Sequence, residues 1–153
     1  MENQIPEFVK QLFTNQYGED ITNKIIEGYL KRRVVTLRVN TIKTDKQNLK
    51  KKLQEVGIET EDILWYEDGL IIKNVREEEI RKLDIYENGE IYLQSLSSIL
   101  PPIILEPKAG ENILDMAAAP GGKTTQIAAI TQNKAFITAC EKNKIRAERL
   151  KYN

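Results

Sequence analysis

Apolar residues in the first part of the chain recur at the three- and four-residue spacing of amphipathic helices. Phe8 and Leu12 would share one side of a helix over Pro6–Tyr17, and a second helix is predicted over Asp20–Lys31. The pattern then changes to a run of β-branched residues, which predicts a strand over Val34–Val39. Two helices followed by a strand therefore open the chain.

A helix and a pair of short strands are predicted next. Thr44 and Gln47 have the spacing of a capping box at a helix start, and Gly57 stands where a glycine often ends a helix. The strands Ile58–Tyr66 and Leu70–Lys73 would be separated by a turn that ends in glycine. With the strand before them, these elements make a small α+β module.

The last part of the chain has a different pattern. A strand at Glu90–Leu93 leads to a helix capped by Ser95, and Pro101-Pro102 is expected to bend or end that helix. From Asn112 the order is strand, glycine turn, helix, strand and helix, which is typical of a doubly wound α/β fold with a parallel sheet. These four elements are predicted at Ile113–Met116, Lys123–Ile130, Ala135–Cys140 and Lys142–Tyr152.

This order of elements predicts two domains. Residues 1–88 would form a helical and α/β module, and residues 89–153 the first part of a Rossmann-like domain. Strands of a parallel sheet bury both faces, so two of them cannot form a core. We therefore expect either that the chain is a fragment or that something else covers the open edge.

The loop between the first parallel strand and its helix carries the candidate chemistry. It reads Asp115-Met116-Ala117-Ala118-Ala119-Pro120-Gly121-Gly122-Lys123-Thr124-Thr125. Small residues let a ligand approach the backbone, Gly121-Gly122 permits positive φ, and a helix N-terminus presents free amides. Glu141 ends the next strand, 19 residues after Gly122, where an acid can hydrogen-bond the ribose of a nucleotide ligand.

Two ligands compete for this loop. Gly122-Lys123-Thr124 fits the end of a phosphate-binding loop, but Ala117 replaces the first glycine of that pattern and Pro120 removes one amide donor. S-adenosylmethionine has a ribose and an adenine but no phosphate, which suits a loop with few donors. The residues favour the methyl donor, and a glycine turn needed only for packing is the third interpretation.

Composition and charge narrow the class of protein. The 153 residues include no histidine and one cysteine, which argues against metal catalysis, excludes an internal disulfide and fits a reducing cytoplasm. No apolar run approaches the roughly 20 residues needed to cross a bilayer. The net charge is zero, but residues 24–53 contain ten Lys or Arg and two acids, whereas residues 54–91 contain four and twelve. This segregation predicts a basic face for a polyanion, with solvated helix faces as the alternative.

Three motifs in order resemble those of the Nol/Nop/Sun RNA (cytosine-5) methyltransferases, bacterial ribosomal RNA enzymes included. Leu114–Thr125 is similar to the cofactor motif, Tyr92–Ser98 to the stretch before the catalytic domain, and Thr36–Thr41 to the signature strand of the N-terminal RNA-binding module. Glu141–Arg146 matches the acid-then-arginine pattern after the second strand. The resemblance implies an α/β protein, in which an α+β RNA-binding module precedes the truncated start of a Rossmann-like, S-adenosylmethionine-dependent methyltransferase domain.

The resemblance also implies particular site residues. Those implied to bind S-adenosyl-L-methionine are Ala117, Ala118, Ala119, Pro120, Gly121, Gly122, Lys123, Glu141 and Arg146. Candidates for RNA phosphate contact are Arg38, Lys50, Lys51 and Lys52, with surface charge as the even alternative. The catalytic cysteines of the family would lie beyond Asn153, and Cys140 is expected to be a buried small residue.

The leading hypothesis is the N-terminal part of a cytoplasmic methyltransferase that acts on rRNA or tRNA, with RNA binding and part of the cofactor site but no metal or membrane partner. Such a chain would be inactive alone, and the rest of the catalytic domain is a candidate partner. The alternative is a stand-alone RNA-binding module without catalysis. A small nucleotide-binding protein is the third hypothesis, and it requires Ala117 to be tolerated in a phosphate-binding loop.

Overall fold

A computed structural model describes residues 5–30 and 34–153, without the side chain of residue 30. The chain divides into two compact units, of which the second begins at Val34. Lys31, predicted as the last residue of the second helix, lies outside the described residues. The candidate site belongs to the second unit.

The first unit contains two helices, as the apolar spacing predicted. Helix α1 (Glu7–Tyr17) and helix α2 (Glu19–Leu30) are separated by Gly18, whose φ of 80° is easily adopted by glycine. The rings of Phe13 and Tyr17 lie on one side of α1 with their centroids 6.4 Å apart. Both predicted helices are confirmed within the described residues.

The second unit begins with an antiparallel sheet of four strands in the order β2–β3–β1–β4. Leu37 of the central strand lies opposite Leu70 on one side and Leu93 on the other, which sets the register. We call residues 34–93 the sheet module. Its strands and its main helix are β1 (Val35–Val39), α3 (Lys46–Glu55), β2 (Thr60–Asp62), β3 (Gly69–Ile72) and β4 (Ile91–Leu93).

Strand β1 is buried on both faces, and the two faces differ in chemistry. Leu37 and Val39 belong to the apolar core, together with Leu49 and Leu53 of α3. Because side chains alternate along a strand, Thr36 and Arg38 point the other way, and they are buried as well. The sheet module therefore has an apolar side against α3 and a polar buried side against the rest of the unit.

Helix α3 begins one residue later than its capping-box pattern suggested. Asp45, rather than Thr44, is the N-cap, and its carboxylate accepts a hydrogen bond from the Asn48 N–H at 2.9 Å. An ionised acid at this position also interacts favourably with the helix dipole. Gly57 ends the helix as predicted, with φ of 73° and with N–H donated to the Gln54 carbonyl.

The acidic stretch contains two helical turns that periodicity could not reveal. These are α4 (Glu77–Ile80) and α5 (Asp84–Glu87), each four residues long. Ile80 and Ile85 are buried and attach the turns to the core. One turn is shorter than the repeat that an amphipathic pattern needs. The strand predicted over Ile58–Tyr66 is shorter in the structure, because only β2 (Thr60–Asp62) pairs with β3.

Helix α6 (Leu96–Leu105) continues through both prolines, so the prediction that they bend or end it was wrong as to the end. A proline leaves the carbonyl four residues earlier without its helical donor. For Pro102 that carbonyl belongs to Ser98, and the side-chain amide of Gln94 donates to it at 2.9 Å. For Pro101 it belongs to Ser97, which is exposed to solvent. A buried side chain therefore replaces one lost bond, and the other carbonyl belongs to an exposed residue.

The end of the chain is a parallel βαβα unit, as predicted. Asn112 of its first strand lies opposite Phe136 of its second, and the two strands run side by side. The elements are β5 (Asn112–Asp115), α7 (Gly122–Ile130), β6 (Phe136–Ala139) and α8 (Lys144–Tyr152). The boundary near residue 88 stays a prediction.

No helix within residues 5–30 and 34–153 is both long enough and apolar enough to span a bilayer.

Candidate functional site

The loop between β5 and α7, which we call the glycine loop (Asp115–Thr125), is fixed at its start by Asp115. One oxygen of this carboxylate accepts the Ala117 N–H at 3.2 Å, and the other accepts the Thr124 hydroxyl at 2.7 Å. The end of β5 is therefore tied directly to the first turn of α7. An acid at this strand end has a structural role that the sequence pattern did not reveal.

Backbone hydrogen bonds continue the strand pairing into the glycine loop. The Cys140 N–H donates to the Asp115 carbonyl at 2.8 Å, and the Ala118 N–H donates to the Cys140 carbonyl at 3.0 Å. The Gly121 N–H closes a turn onto the Ala118 carbonyl at 2.8 Å, and the peptide bond between Ala119 and Pro120 is cis. The loop is thus held against the carboxyl end of both parallel strands, where ligands of such sheets bind.

The two glycines are required for different reasons. Gly121 has φ of 116°, which only glycine adopts easily, and a Cβ there would also lie 3.3 Å from Leu150. Gly122 is the first helical residue and does not use the positive φ that glycine permits. A Cβ on Gly122 would lie 3.1 Å from the Tyr92 ring, and the second glycine therefore allows the sheet module to approach α7 closely.

Glu141 and Arg146 lie together beside the loop. The Glu141 carboxylate accepts the Asn143 N–H at 2.8 Å and lies 3.5 Å from the Arg146 guanidinium, with only 7% of its side chain exposed. Arg146 donates to the Ala119 carbonyl at 2.6 Å. The pair that the sequence placed at the ribose therefore also holds the loop backbone.

A groove of about 1160 Å³ opens between the glycine loop and the sheet module. Its lining includes Ala117–Pro120, Gly122 and Lys123 from the predicted cofactor residues, but not Gly121, Glu141 or Arg146. Four exposed cations and two exposed acids also face it, which gives the groove a net positive charge. The cations are Lys43, Arg81, Lys123 and Arg149, and the acids are Glu87 and Glu148.

Several of these groove charges are already paired. Arg81 is ion-paired with Glu77, and Glu148 lies 2.9 Å from Lys151. Lys43 donates to the carbonyl of Asn88 at 2.7 Å. Among the residues that the structure describes, Lys123 and Arg149 have no carboxylate within 4.0 Å. Lys123 belongs to the glycine loop, and Arg149 lies in α8.

Arg38 is not on the surface, and this corrects its prediction as an RNA contact. It lies at the floor of the groove with 1% of its surface exposed, beneath the ring of Tyr92 at 5.7 Å. Its Nε donates to Gln94 at 3.2 Å and its Nη2 donates to the hydroxyl of Thr125 at 2.9 Å. Burial lowers the pKa of this guanidinium. A cation inside the protein cannot reach an external phosphate.

The lysines of α3 are only partly available for RNA. Lys50 lies 2.9 Å from Asp62, and Lys52 lies 2.6 Å from Glu90. Hydrogen bonds from lysines hold the pKa of the Asp62 carboxyl below its usual value. Lys51 is exposed, with no such partner among the described residues. The acidic segment of the sequence folds back onto the basic one, so the linear segregation of charge largely cancels on this face.

Cys140 is exposed, contrary to the expected burial. It follows β6, which lies at an edge of the two-stranded sheet. Other apolar side chains of this region are exposed too, among them Met116 at 79% and Phe136 at 71%. Within the described residues, nothing packs over this side of the sheet.

The sequence interpretation missed two buried glutamines. Gln94 follows β4 and Gln126 lies in α7, and their side-chain amides meet at 2.9 Å. Gln94 belongs to the Tyr92–Ser98 motif, so its position was noticed but no role was assigned. A polar residue among the apolar ones of α7 was the available signal for Gln126.

Comparison with known proteins supports this description. The family model for the ferredoxin-like domain of RsmF/B-like methyltransferases matches residues 5–77, and the model for the 16S rRNA methyltransferases RsmB/F matches residues 102–153. In solved structures, a methyltransferase homolog protein from Pyrococcus horikoshii has a TM-score of 0.74 and 30% identity, over 97% of this chain and 50% of that one. The predicted fold class, a mixed α/β protein of this kind, is confirmed.

The relatives that this chain matches are named as RNA methyltransferases. A probable ribosomal RNA small subunit methyltransferase B of Bacillus subtilis is 33% identical over 147 residues, 95% of this chain and 32% of that protein. A tRNA (cytosine(49)-C(5))-methyltransferase of Pyrococcus abyssi is 41% identical over 113 residues, 73% of this chain and 36% of that protein. The chain spans about a third of the length of these two relatives. It belongs to the Nol/Nop/Sun RNA (cytosine-5) methyltransferase family that its motifs resemble.

Proposed function

We propose that this chain supplies the RNA-binding module and part of the cofactor site of an S-adenosylmethionine-dependent RNA (cytosine-5) methyltransferase that acts on rRNA or tRNA. One observation carries the proposal: the glycine loop and the unpaired cations Lys123 and Arg149 face the same groove. A methyl donor and a polyanion would meet there. The names of the relatives support RNA as the substrate class, and a cytoplasmic location belongs to the same proposal.

The residues present fit S-adenosylmethionine, which supplies the methyl group when bound. Ala117, Ala118 and Ala119 keep the loop free of bulky side chains, and the start of α7 presents unpaired backbone amides. Glu141 lies at the end of the second strand with its carboxylate already oriented by Asn143 and Arg146. We assign the ribose to Glu141 and the methionine side to the loop, with Arg146 holding the loop in shape.

Single-stranded RNA suits the groove better than a duplex. Tyr86, Tyr92 and Tyr152 line it, and aromatic rings in a basic groove stack bases with little regard to sequence. Cations on both the sheet module and the loop side would contact the backbone. The RNA path proposed here therefore runs along the groove, and Lys51 would contact RNA only if the path ran over α3 instead.

We further propose that this chain alone does not transfer methyl groups. Cys140 is its one cysteine, and Asp115, Ala118 and Cys140 use their backbone groups to hold the loop. Exposed Leu114, Met116 and Phe136 offer an apolar surface to the rest of a catalytic domain. Radiolabelled S-adenosylmethionine with ribosomal RNA should give no incorporation with this chain. Incorporation that is lost in Cys140→Ser would contradict the proposal.

RNA binding tests the groove. Lys43→Glu and Arg149→Glu should each weaken binding of a fluorescent single-stranded RNA and reduce the salt dependence, by a logarithmic slope of about 0.7 per lost phosphate contact. Lys51→Glu is the matched control, because it makes the same charge change on α3 outside the groove. If Lys51→Glu alone weakens binding, the RNA path lies on α3 and the groove assignment is wrong.

Cofactor binding separates the proposed enzyme part from the stand-alone RNA-binding module. Calorimetry with S-adenosylhomocysteine should show weak binding that Glu141→Ala reduces further. If the folded chain binds RNA but shows no heat of binding with S-adenosylhomocysteine, the stand-alone RNA-binding module is favoured.

A further inference from the structure

A buried polar network joins the sheet module to the glycine loop. Arg38 of β1 donates to the side-chain oxygen of Gln94 and to the hydroxyl of Thr125 in α7. Gln94 in turn donates to Gln126, and Gln126 donates to the Ile99 carbonyl at 3.0 Å. Each amide uses its oxygen to accept and its nitrogen to donate, so only one orientation of each side chain satisfies its neighbours. The hydrogen bonds therefore run in one order, from Arg38 to Gln94, from Gln94 to Gln126 and from Gln126 to the Ile99 carbonyl.

The Thr125 hydroxyl is the link from this network to the loop. It accepts the Arg38 Nη2–H at 2.9 Å and donates to the Gly121 carbonyl at 2.8 Å. Gly121 is the loop residue with φ of 116°, and its N–H closes the turn onto Ala118. Because a hydroxyl that accepts from a cation becomes a stronger donor, the guanidinium strengthens the bond that holds this turn.

Stability alone is a poor explanation for Arg38. Its guanidinium is buried without an ion pair among the described residues, and its Nη1 has no hydrogen-bond partner there. A buried cation pays a desolvation penalty that a well-packed apolar residue of similar volume avoids. A reason to keep the charge is that the guanidinium strengthens the hydrogen bond from the Thr125 hydroxyl to the Gly121 carbonyl.

We propose that Arg38 is a positioning residue, which acts through Thr125 to hold the Gly121 turn and thereby couples the glycine loop to the sheet module. The functional meaning of this coupling rests on the proposed cofactor site in the glycine loop. The coupling itself is a property of the ligand-free chain. A shift of β1 would reach the Gly121 turn through this hydroxyl.

Amide hydrogen exchange of the ligand-free chain tests the coupling. Thr125→Val keeps the shape of the side chain and removes its hydroxyl, and Arg38→Met keeps the apolar length and removes the charge. Both should accelerate exchange of the Ala118, Gly121 and Thr125 amides about fivefold, the effect of losing one net hydrogen bond, while the β3 amides change less. Thr125→Ser retains the hydroxyl and should restore near-parent protection.

The control is Ile80→Val, a buried substitution in the sheet module that touches none of these polar groups. It should change loop and β3 exchange by the same factor. Equal acceleration at the loop and β3 in Thr125→Val, or no difference between Thr125→Val and Thr125→Ser, would overturn the coupling. If Arg38→Met does not fold, the two Thr125 variants decide. Adding S-adenosylhomocysteine then tests the cofactor assignment separately. If it does not slow amide exchange in the loop, the cofactor assignment fails, but the comparison of the ligand-free variants is unaffected.

Discussion

Replacement of Gln94 by methionine should be among the more damaging single changes in this chain. Methionine has nearly the same length but removes one acceptor and two donors. In the structure these serve Arg38 Nε at 3.2 Å, Gln126 Oε1 at 2.9 Å and the Ser98 carbonyl at 2.9 Å. Gln94 itself is 6% exposed, so water cannot easily replace it.

The magnitude follows from the groups left without partners. An orphaned buried polar group costs about 1–3 kcal/mol. Arg38 and Gln126 are fully buried, whereas Ser98 is half-buried and can recruit water. Two full penalties give a loss of roughly 2–6 kcal/mol, a large share of the about 5–15 kcal/mol that stabilises a typical domain.

Urea unfolding followed by circular dichroism measures this loss, with Gln54→Met as the matched control. Gln54 is an exposed residue of α3, and the same substitution there should change the unfolding free energy by no more than about 0.5 kcal/mol. The double variant Gln94→Met, Gln126→Met should cost less than the sum of its parts, because each single change already breaks the bond between the two amides. Strict additivity, or a Gln94→Met cost equal to that of Gln54→Met, would refute the network.

Three further outcomes are expected. Gly121→Ala should destabilise the chain by about 1–2 kcal/mol in thermal melts and weaken cofactor binding, because it combines a disfavoured φ with a close contact to Leu150. Gly110→Ala is the control for the effect of φ, because Gly110 also has a positive φ but no atom near the position of its Cβ. Burial raises the pKa of Tyr66 to about 12, so the folded state keeps its proton where the unfolded state loses it, and stability should fall as pH rises from about 10 to about 12. Tyr66→Phe should make that fall shallower in urea titrations, leaving a remainder from Tyr92, whose pKa burial also raises; an unchanged slope would contradict the burial. Arg146→Met should accelerate exchange of loop amides near Ala119 and weaken cofactor binding, and binding that survives it unchanged would show that the Ala119 bond is dispensable.

Much of the local structure could be predicted because it depends on near neighbours in the chain. The helices α1, α3, α7 and α8 follow from apolar spacing and end signals, and Gly57 ends α3 by backbone bonds confined to residues 53–58. The exceptions are short or compensated elements. The turn at Ile80 has too few residues for a pattern, and α6 passes its prolines because Gln94 supplies a donor from outside the helix.

The structure keeps most of the candidate loop residues together at one groove, whereas the candidate RNA-binding cations lie in different environments. Ala117–Pro120, Gly122 and Lys123 face one groove because they are close together in a turn between strand and helix. Arg38 and Lys50–Lys52 were chosen by charge alone, and charge in a sequence does not reveal which face of a strand is covered or which acid folds back. Burial removed Arg38 from the surface, and Asp62 and Glu90 paired two of the lysines.

The sequence by itself thus determined the order of the strands and of the helices longer than one turn, the glycine loop and the family, since these depend on short segments whose physics is local. Only the tertiary structure decided that β1 is covered on both faces, that Arg38 reaches Thr125 across 87 positions of the chain, and that Lys123 and Arg149 share a groove. Contacts between distant residues depend on how sheets and helices pack, and packing is settled by the sum of many burial and hydrogen-bond terms rather than by any one segment.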